Sequence, residues 1–144
     1  MRMRLRIAPA LEQLAELTAR LDAVLAEHGV AHERVGRVRL IVEELVCNAI
    51  THGHAAGGCE LRLDLLLEQD ALVLELRDAG PPFDPCQAAA PALEADAALR
   101  PIGGLGLYLV RQLADHIDYC RLDGQNRIRA TLLRPFATLT PEPS

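Results

Sequence analysis

Lysine is absent from this chain of 144 residues, and all 15 of its basic residues are arginine. That removes the P-loop lysine, the β3 lysine of eukaryotic-type protein kinases and any Schiff-base lysine. A phosphate site here must use backbone N–H groups, arginine or a metal ion. Positive charge is short overall: the formal net charge of −5 speaks against nucleic acid or an anionic membrane as the main partner, since both demand a cationic excess that displaces counterions. Long apolar runs are missing too. No stretch approaches membrane-spanning length, and in the basic opening MRMRLRIAPALEQLAELTARL no continuous apolar segment of a secretory signal exists. Cys47, Cys59, Cys86 and Cys120 form no CxxC pair, which predicts a reduced, cytoplasmic protein. The spacing of Cys47, His52, His54 and Cys59 matches no structural zinc template.

What is present is apolar: 50% of the residues are hydrophobic, enough for one sizeable core. We expect a single domain over residues 1–135 and a flexible tail over 136–144. Met3, Leu5 and Ile7 alternate with Arg2, Arg4 and Arg6, the pattern of a half-buried strand. Leu11, Leu14, Leu17, Leu21 and Leu25 line one face of a helix over 10–28 that Gly29 stops. A second helix is predicted from Glu33 to His52. Two alternating runs, Leu61 to Leu67 and Leu72 to Leu76, flank the polar EQD as a hairpin. The Pro- and Ala-rich stretch that follows is too poor in large apolar side chains to supply core and predicts a loop. The run LGLYLVRQLADHI then reads as a helix with Leu105, Leu109, Leu113 and Ile117 on its buried stripe, followed by strands near 117–123 and 126–134. The sum is an α+β fold, a two-layer α/β sandwich with a mostly antiparallel mixed sheet and its helices on one face.

Three segments carry chemistry. Asp78 shares the parity of Leu72, Leu74 and Leu76, so its carboxylate turns toward the helices where the strand ends. It equally opens the turn DAGPPFD, since Asp is common in turns. Gly103, Gly104 and Gly106 precede a helix, whose first N–H groups bind anions without a cationic side chain; such a glycine cluster also serves plain packing. In IVEELVCNAITHG, helical spacing aligns Glu44, Asn48 and His52 in one polar line on an otherwise apolar helix. The carboxylate and amide oxygens suit magnesium or a water that must lose a proton, and they also suit a helix–helix hydrogen-bond network.

Taken in order, the E-x3-N-A-x2-H helix, the hairpin ending in D-x-G, the loose loop and G-G-x-G-L-x-L-V before a helix resemble the GHKL (Bergerat-fold) ATPase superfamily. EELVCNAITHG, LELRDAGPPFDP and GGLGLYLVRQLADHIDY are most similar to the bacterial anti-sigma factor serine/threonine kinases. The resemblance implies the cofactors ATP and Mg²⁺. It makes Glu44 the general base, Asn48 the magnesium ligand and Asp78 the acceptor for the adenine amino group, with Gly80 leaving room for the base. It places His52, Phe83, Arg100, Gly103, Gly104, Leu105, Gly106 and Leu107 around the nucleotide, with residues 84–103 as a lid. Asn126 stands where many relatives carry a nucleotide-contacting threonine. The function implied is phosphorylation of an anti-sigma factor antagonist of STAS type in a partner-switching system, with a sigma factor as a further partner and a homodimer compatible with the family. A nucleotide-gated binding switch without phosphotransfer is the alternative. The length leaves no room for the phosphoacceptor helix pair of a histidine kinase. The outward arginines of the strands read as a solvated face, or one that meets acidic partners or a second copy.

Overall fold

A computed structural model describes residues 1–8, 10–53, 60–82 and 104–136, with backbone alone at Leu11, His52, Gly53 and residues 104–107. Strands β1 (Arg2–Ile7), β2 (Leu61–Leu67), β3 (Ala71–Asp78), β4 (His116–Leu122) and β5 (Gln125–Leu133) form one sheet in the order β1-β2-β3-β5-β4. Every pairing is antiparallel. The mixed sheet expected from the sequence is therefore purely antiparallel among the described residues; tight turns make hairpins of β2–β3 and β4–β5, and helices lie in the connections of the other two pairs. The β4–β5 turn places Asp123 and Gly124 at φ 51° and 75°. That left-handed pair matches the twist of the strands it joins, which is why Asp-Gly sits there.

Alternation decides which face is core. Leu63, Leu65, Leu72, Leu74, Leu76 and Leu132 are at most 1% exposed, while their strand neighbours are half-buried on the opposite face. A slip of one residue would carry this whole leucine set into water, so the register is strongly specified. Truncating Leu74, fully buried on the central β3, should destabilise the fold by about 2–5 kcal/mol. The check is a lower urea midpoint at an unchanged denaturant slope.

The helices cover the leucine side. α1 (Leu14–Glu27) buries Leu17, Leu21 and Leu25. It starts later than its periodicity suggested because a 3₁₀ turn, Leu11–Gln13, takes up the first residues. α2 (His32–Gly53) buries Val38, Ile41, Val42, Leu45 and Val46, and packs on α1, on β3 and on α3 (Gly104–Leu113).

The expected stripe of α3 is corrected by the structure. Val110 is fully buried and Leu113 packs at the core edge, whereas Leu109 is 39% exposed and Ile117 belongs to β4. Two apolar stripes compete in LGLYLV, and packing against α2 selects the one through Val110. Arg37 of α2 donates to the carbonyl of Leu113 at 3.4 Å, placing a cation at the negative end of α3. Residues 137–144 of the expected tail lie outside the described residues.

Candidate functional site

The end of β3 carries the first half of the site. Asp78 keeps the inward parity of the leucines before it and is 6% exposed. Its Oδ1 accepts the backbone N–H of Gly80 at 2.9 Å and the Nδ2 of Asn126 at 3.0 Å. Asp78 thus opens the turn with one oxygen and, among the described residues, nothing donates to the other. Gly80 is buried at the same turn, and the Nη1 of Arg121 holds its carbonyl at 2.7 Å.

Asn126 is the cross-strand neighbour of Asp78 in the β3–β5 register and is 3% exposed. Its Nδ2 donates to Asp78 and also to the carbonyl of Pro81 at 2.8 Å, and its Oδ1 accepts the hydroxyl of Tyr119 at 2.6 Å. Both ends of the amide are therefore engaged in orienting Asp78 and the turn after it. Tyr119 and Arg121 escaped the sequence reading. A clue existed: Arg121 shares the inward parity of Ile117 and Tyr119 at the end of β4, as Asp78 does on β3.

The second half lies on α2, which packs against β3. Asn48 is 6% exposed, and its Oδ1 is buried with no hydrogen-bond partner. An orphaned buried acceptor costs about 1–3 kcal/mol, a penalty that a cation or donor from a ligand would remove. One helical turn earlier Glu44 is half-buried. Burial, and then the neighbouring Glu43 carboxylate, raise the Glu44 pKa above its ordinary value of 4.5. Cys47 lies between them; burial, then Glu44 and Glu43, push its thiol up and keep it protonated. The donor set of Asn48 Oδ1 with a carboxylate one turn away is hard oxygen, which fits magnesium.

α3 begins at Gly104 and runs for ten residues, so Gly104 and Gly106 lie in its first turn, where the N–H groups have no partner within the helix. The side chains of His52, Leu105 and Leu107, all of Phe83, Arg100 and Gly103, and the lid over 84–103 lie outside the described residues. The structure therefore brings Asp78, Gly80 and Asn126 into one hydrogen-bonded cluster and sets Glu44 and Asn48 together on the helix above the same sheet.

The helices thus stack on one side of an antiparallel sheet, with an acid at the end of β3 and an acid–amide pair on α2. The chain matches the histidine kinase-like ATPase domain family over residues 7–132 and belongs to that family. It is 32% identical over 90 residues to the serine/threonine-protein kinase BtrW of Bordetella bronchiseptica, a match covering 62% of this chain and 61% of that protein. It is 29% identical over 104 residues to the serine-protein kinase RsbW of Listeria monocytogenes, covering 67% and 65%. The match thus spans less than two thirds of the length of each of these relatives. Two solved structures share the fold. One contains the RsbU and RsbW domains of a Mycobacterium tuberculosis protein, with a TM-score of 0.67 at 17% identity over 97% of this chain and 35% of that one. The other is the SiaB–SiaC complex of Pseudomonas aeruginosa, with a TM-score of 0.67 at 13% identity over 90% and 88%.

Proposed function

We propose that the chain is an Mg-ATP-dependent serine/threonine protein kinase that phosphorylates a protein antagonist in a partner-switching system. The antagonist is of STAS type and a sigma factor is the second partner. The observation that carries this reading is the buried, unpartnered Oδ1 of Asn48 one turn from the half-buried Glu44 carboxylate, in a chain of an ATPase-domain family whose named relatives are protein kinases. No helix among the described residues is long and apolar enough to cross a membrane, and we place the protein in the cytoplasm, where Mg-ATP is supplied.

In this reading Asn48 holds the magnesium ion, which neutralises the triphosphate when bound. Asp78 accepts from the adenine amino group, through the oxygen its neighbours leave unoccupied. Gly80 lets the base approach the turn, and the amides at the start of α3 receive phosphate oxygens, which is how a chain without lysine neutralises that charge. Asn126, with Tyr119 behind it, orients Asp78. Glu44 takes the proton from the attacking hydroxyl of the partner protein. That last role separates a kinase from a nucleotide-binding switch, since binding alone requires no base.

The test is incubation with γ-labelled Mg-ATP and candidate antagonist proteins from the same cell. Label should appear on a serine or threonine of one of them. If ATP alters partner affinity but label reaches no partner, the chain is a nucleotide-gated switch instead.

The raised pKa of Glu44 sets the pH dependence. Its carboxyl must be ionised to act as a base, so single-turnover transfer should rise with pH through an inflection above 4.5. The sign for stability is opposite. A carboxyl whose folded pKa lies above its unfolded one disfavours the fold once pH exceeds the unfolded value. Glu44→Gln removes that charge, so its thermal midpoint at pH 7 should equal or exceed that of the wild type.

A further inference from the structure

The outer face of the sheet carries an arrangement that the nucleotide reading does not use. Strand register sets Arg6 opposite Arg62, Arg62 opposite Arg77, and Arg77 opposite Arg127. Four arginines therefore stand side by side across four adjacent strands. Like charges directly opposite on one face of an antiparallel pair repel, so the row works against folding.

Acidic neighbours neutralise it only in part. In the next row Arg4, Asp64, Glu75, Arg129 and Asp118 are aligned by the same register. Asp64 takes Arg4 at 2.9 Å, and Glu75 takes both Arg77 and Arg129 at 2.8 Å. Burial would raise the Glu75 carboxyl, but hydrogen bonds from Arg129 and Arg77 outweigh it and hold it below the ordinary carboxylate range. Arg6 and Arg62 approach Glu60 and Asp64 only to 3.7 Å. The Nε of Arg62 is buried without a hydrogen-bond partner, and Arg127 has no ion pair among the described residues.

Nothing among the described residues covers this face, since α1, α2 and α3 lie on the leucine side. A depression of about 410 Å³ opens on it, where Arg2, Arg4, Arg77 and Arg129 outnumber the two lining acids, Asp64 and Glu75. The charge balance points to what fits. Arg2, Arg4 and Arg129 join the row of four, against only Asp64, Glu75, Asp118 and the flanking Glu60, in a chain whose overall formal charge is −5. A second copy docking face to face would set one net cationic face against another, since an isologous interface uses the same patch on both copies. A nucleic acid would find no Phe, Tyr or Trp on the face to stack on and would meet an acidic molecule around it.

We infer that the outer sheet face docks an acidic segment of a partner protein, an Asp/Glu-rich stretch laid across β1, β2, β3 and β5. Its carboxylates accept from the arginine row, whose planar guanidinium groups suit bidentate recognition of carboxylate. This inference does not depend on phosphotransfer or on nucleotide binding.

The test uses the full chain and a fluorescent hexaglutamate peptide followed by anisotropy. Saturable binding is expected that weakens at about 0.3 M salt, where exposed charge pairs are screened. The double variant Arg62→Glu/Arg127→Glu should weaken it by at least about 10-fold, as expected when unpaired like-sign groups replace paired ones across an interface. Arg20→Glu, on the exposed side of α1, should leave it unchanged. The double variant should also melt at the same or a higher temperature, because it breaks the like-charge row, and should bind Mg-ATP as the wild type does. Should the double variant not fold, Arg127→Gln must still weaken peptide binding. Equal binding by wild type and variant overturns the inference. So does tighter binding of an oligothymidylate of equal charge, which would make nucleic acid the ligand. A dimer seen by sedimentation in the wild type and lost in the variant overturns it as well, in favour of a second copy.

Discussion

Asp78→Asn should weaken adenine-nucleotide binding by about 10²–10³-fold while leaving the fold intact, measured by calorimetric titration with Mg-ATP beside a thermal melt. The size follows from what the substitution does to one atom. The Oδ1 of Asp78 is held by the Gly80 N–H and the Asn126 amide, and an asparagine would keep both bonds by placing its own oxygen there. Its NH₂ would then point where the second carboxylate oxygen was. An adenine amino group would meet a donor instead of an acceptor, and a site that leaves such a group unpaired rejects its ligand strongly. Folding survives because the internal bonds survive. Wild-type affinity in this variant would remove Asp78 from the nucleotide site and with it the adenine assignment.

Glu44→Gln should lower the rate of phosphotransfer by about 10²–10⁴-fold, the range expected for loss of a positioned general base. Glutamine keeps the length and planarity of the side chain but cannot take a proton. Nucleotide affinity should be unchanged, because in the proposed arrangement Asn48 and not Glu44 meets the metal. The two readouts move separately. Transfer lost with binding retained assigns proton removal to Glu44; loss of both would give it a ligand's role. Retained transfer would show that another group activates the hydroxyl. The variant's stability at neutral pH separates either result from misfolding, since removing a half-buried carboxylate that the fold disfavours should not lower it.

The site illustrates why some of it could be read from the sequence. Burial of Asp78 followed from parity alone, because side chains along a strand alternate without exception in an unbulged run. The polar line of Glu44 and Asn48 followed from helical spacing. These are local regularities, and a chain displays them residue by residue. The role of Asn126 was not local. It lies 48 residues from Asp78 in the chain, and only the β3–β5 pairing brings its amide to the carboxylate. The same holds for Tyr119 and Arg121, whose partners sit on another strand or its turn.

By itself the sequence determined the α+β class, the inward faces of β1, β2 and β3, the burial of Asp78 and the acid–amide pair on α2, because each depends on a period of two or 3.6 residues. Tertiary structure alone decided that Val110 and not Leu109 meets α2, that Asp78 is held by Asn126 through one oxygen, and that four arginines from separate strands form one row. Those outcomes depend on which elements pair and in what register. Pairing is settled by the simultaneous burial of side chains far apart in the chain, and no window of neighbouring residues contains it.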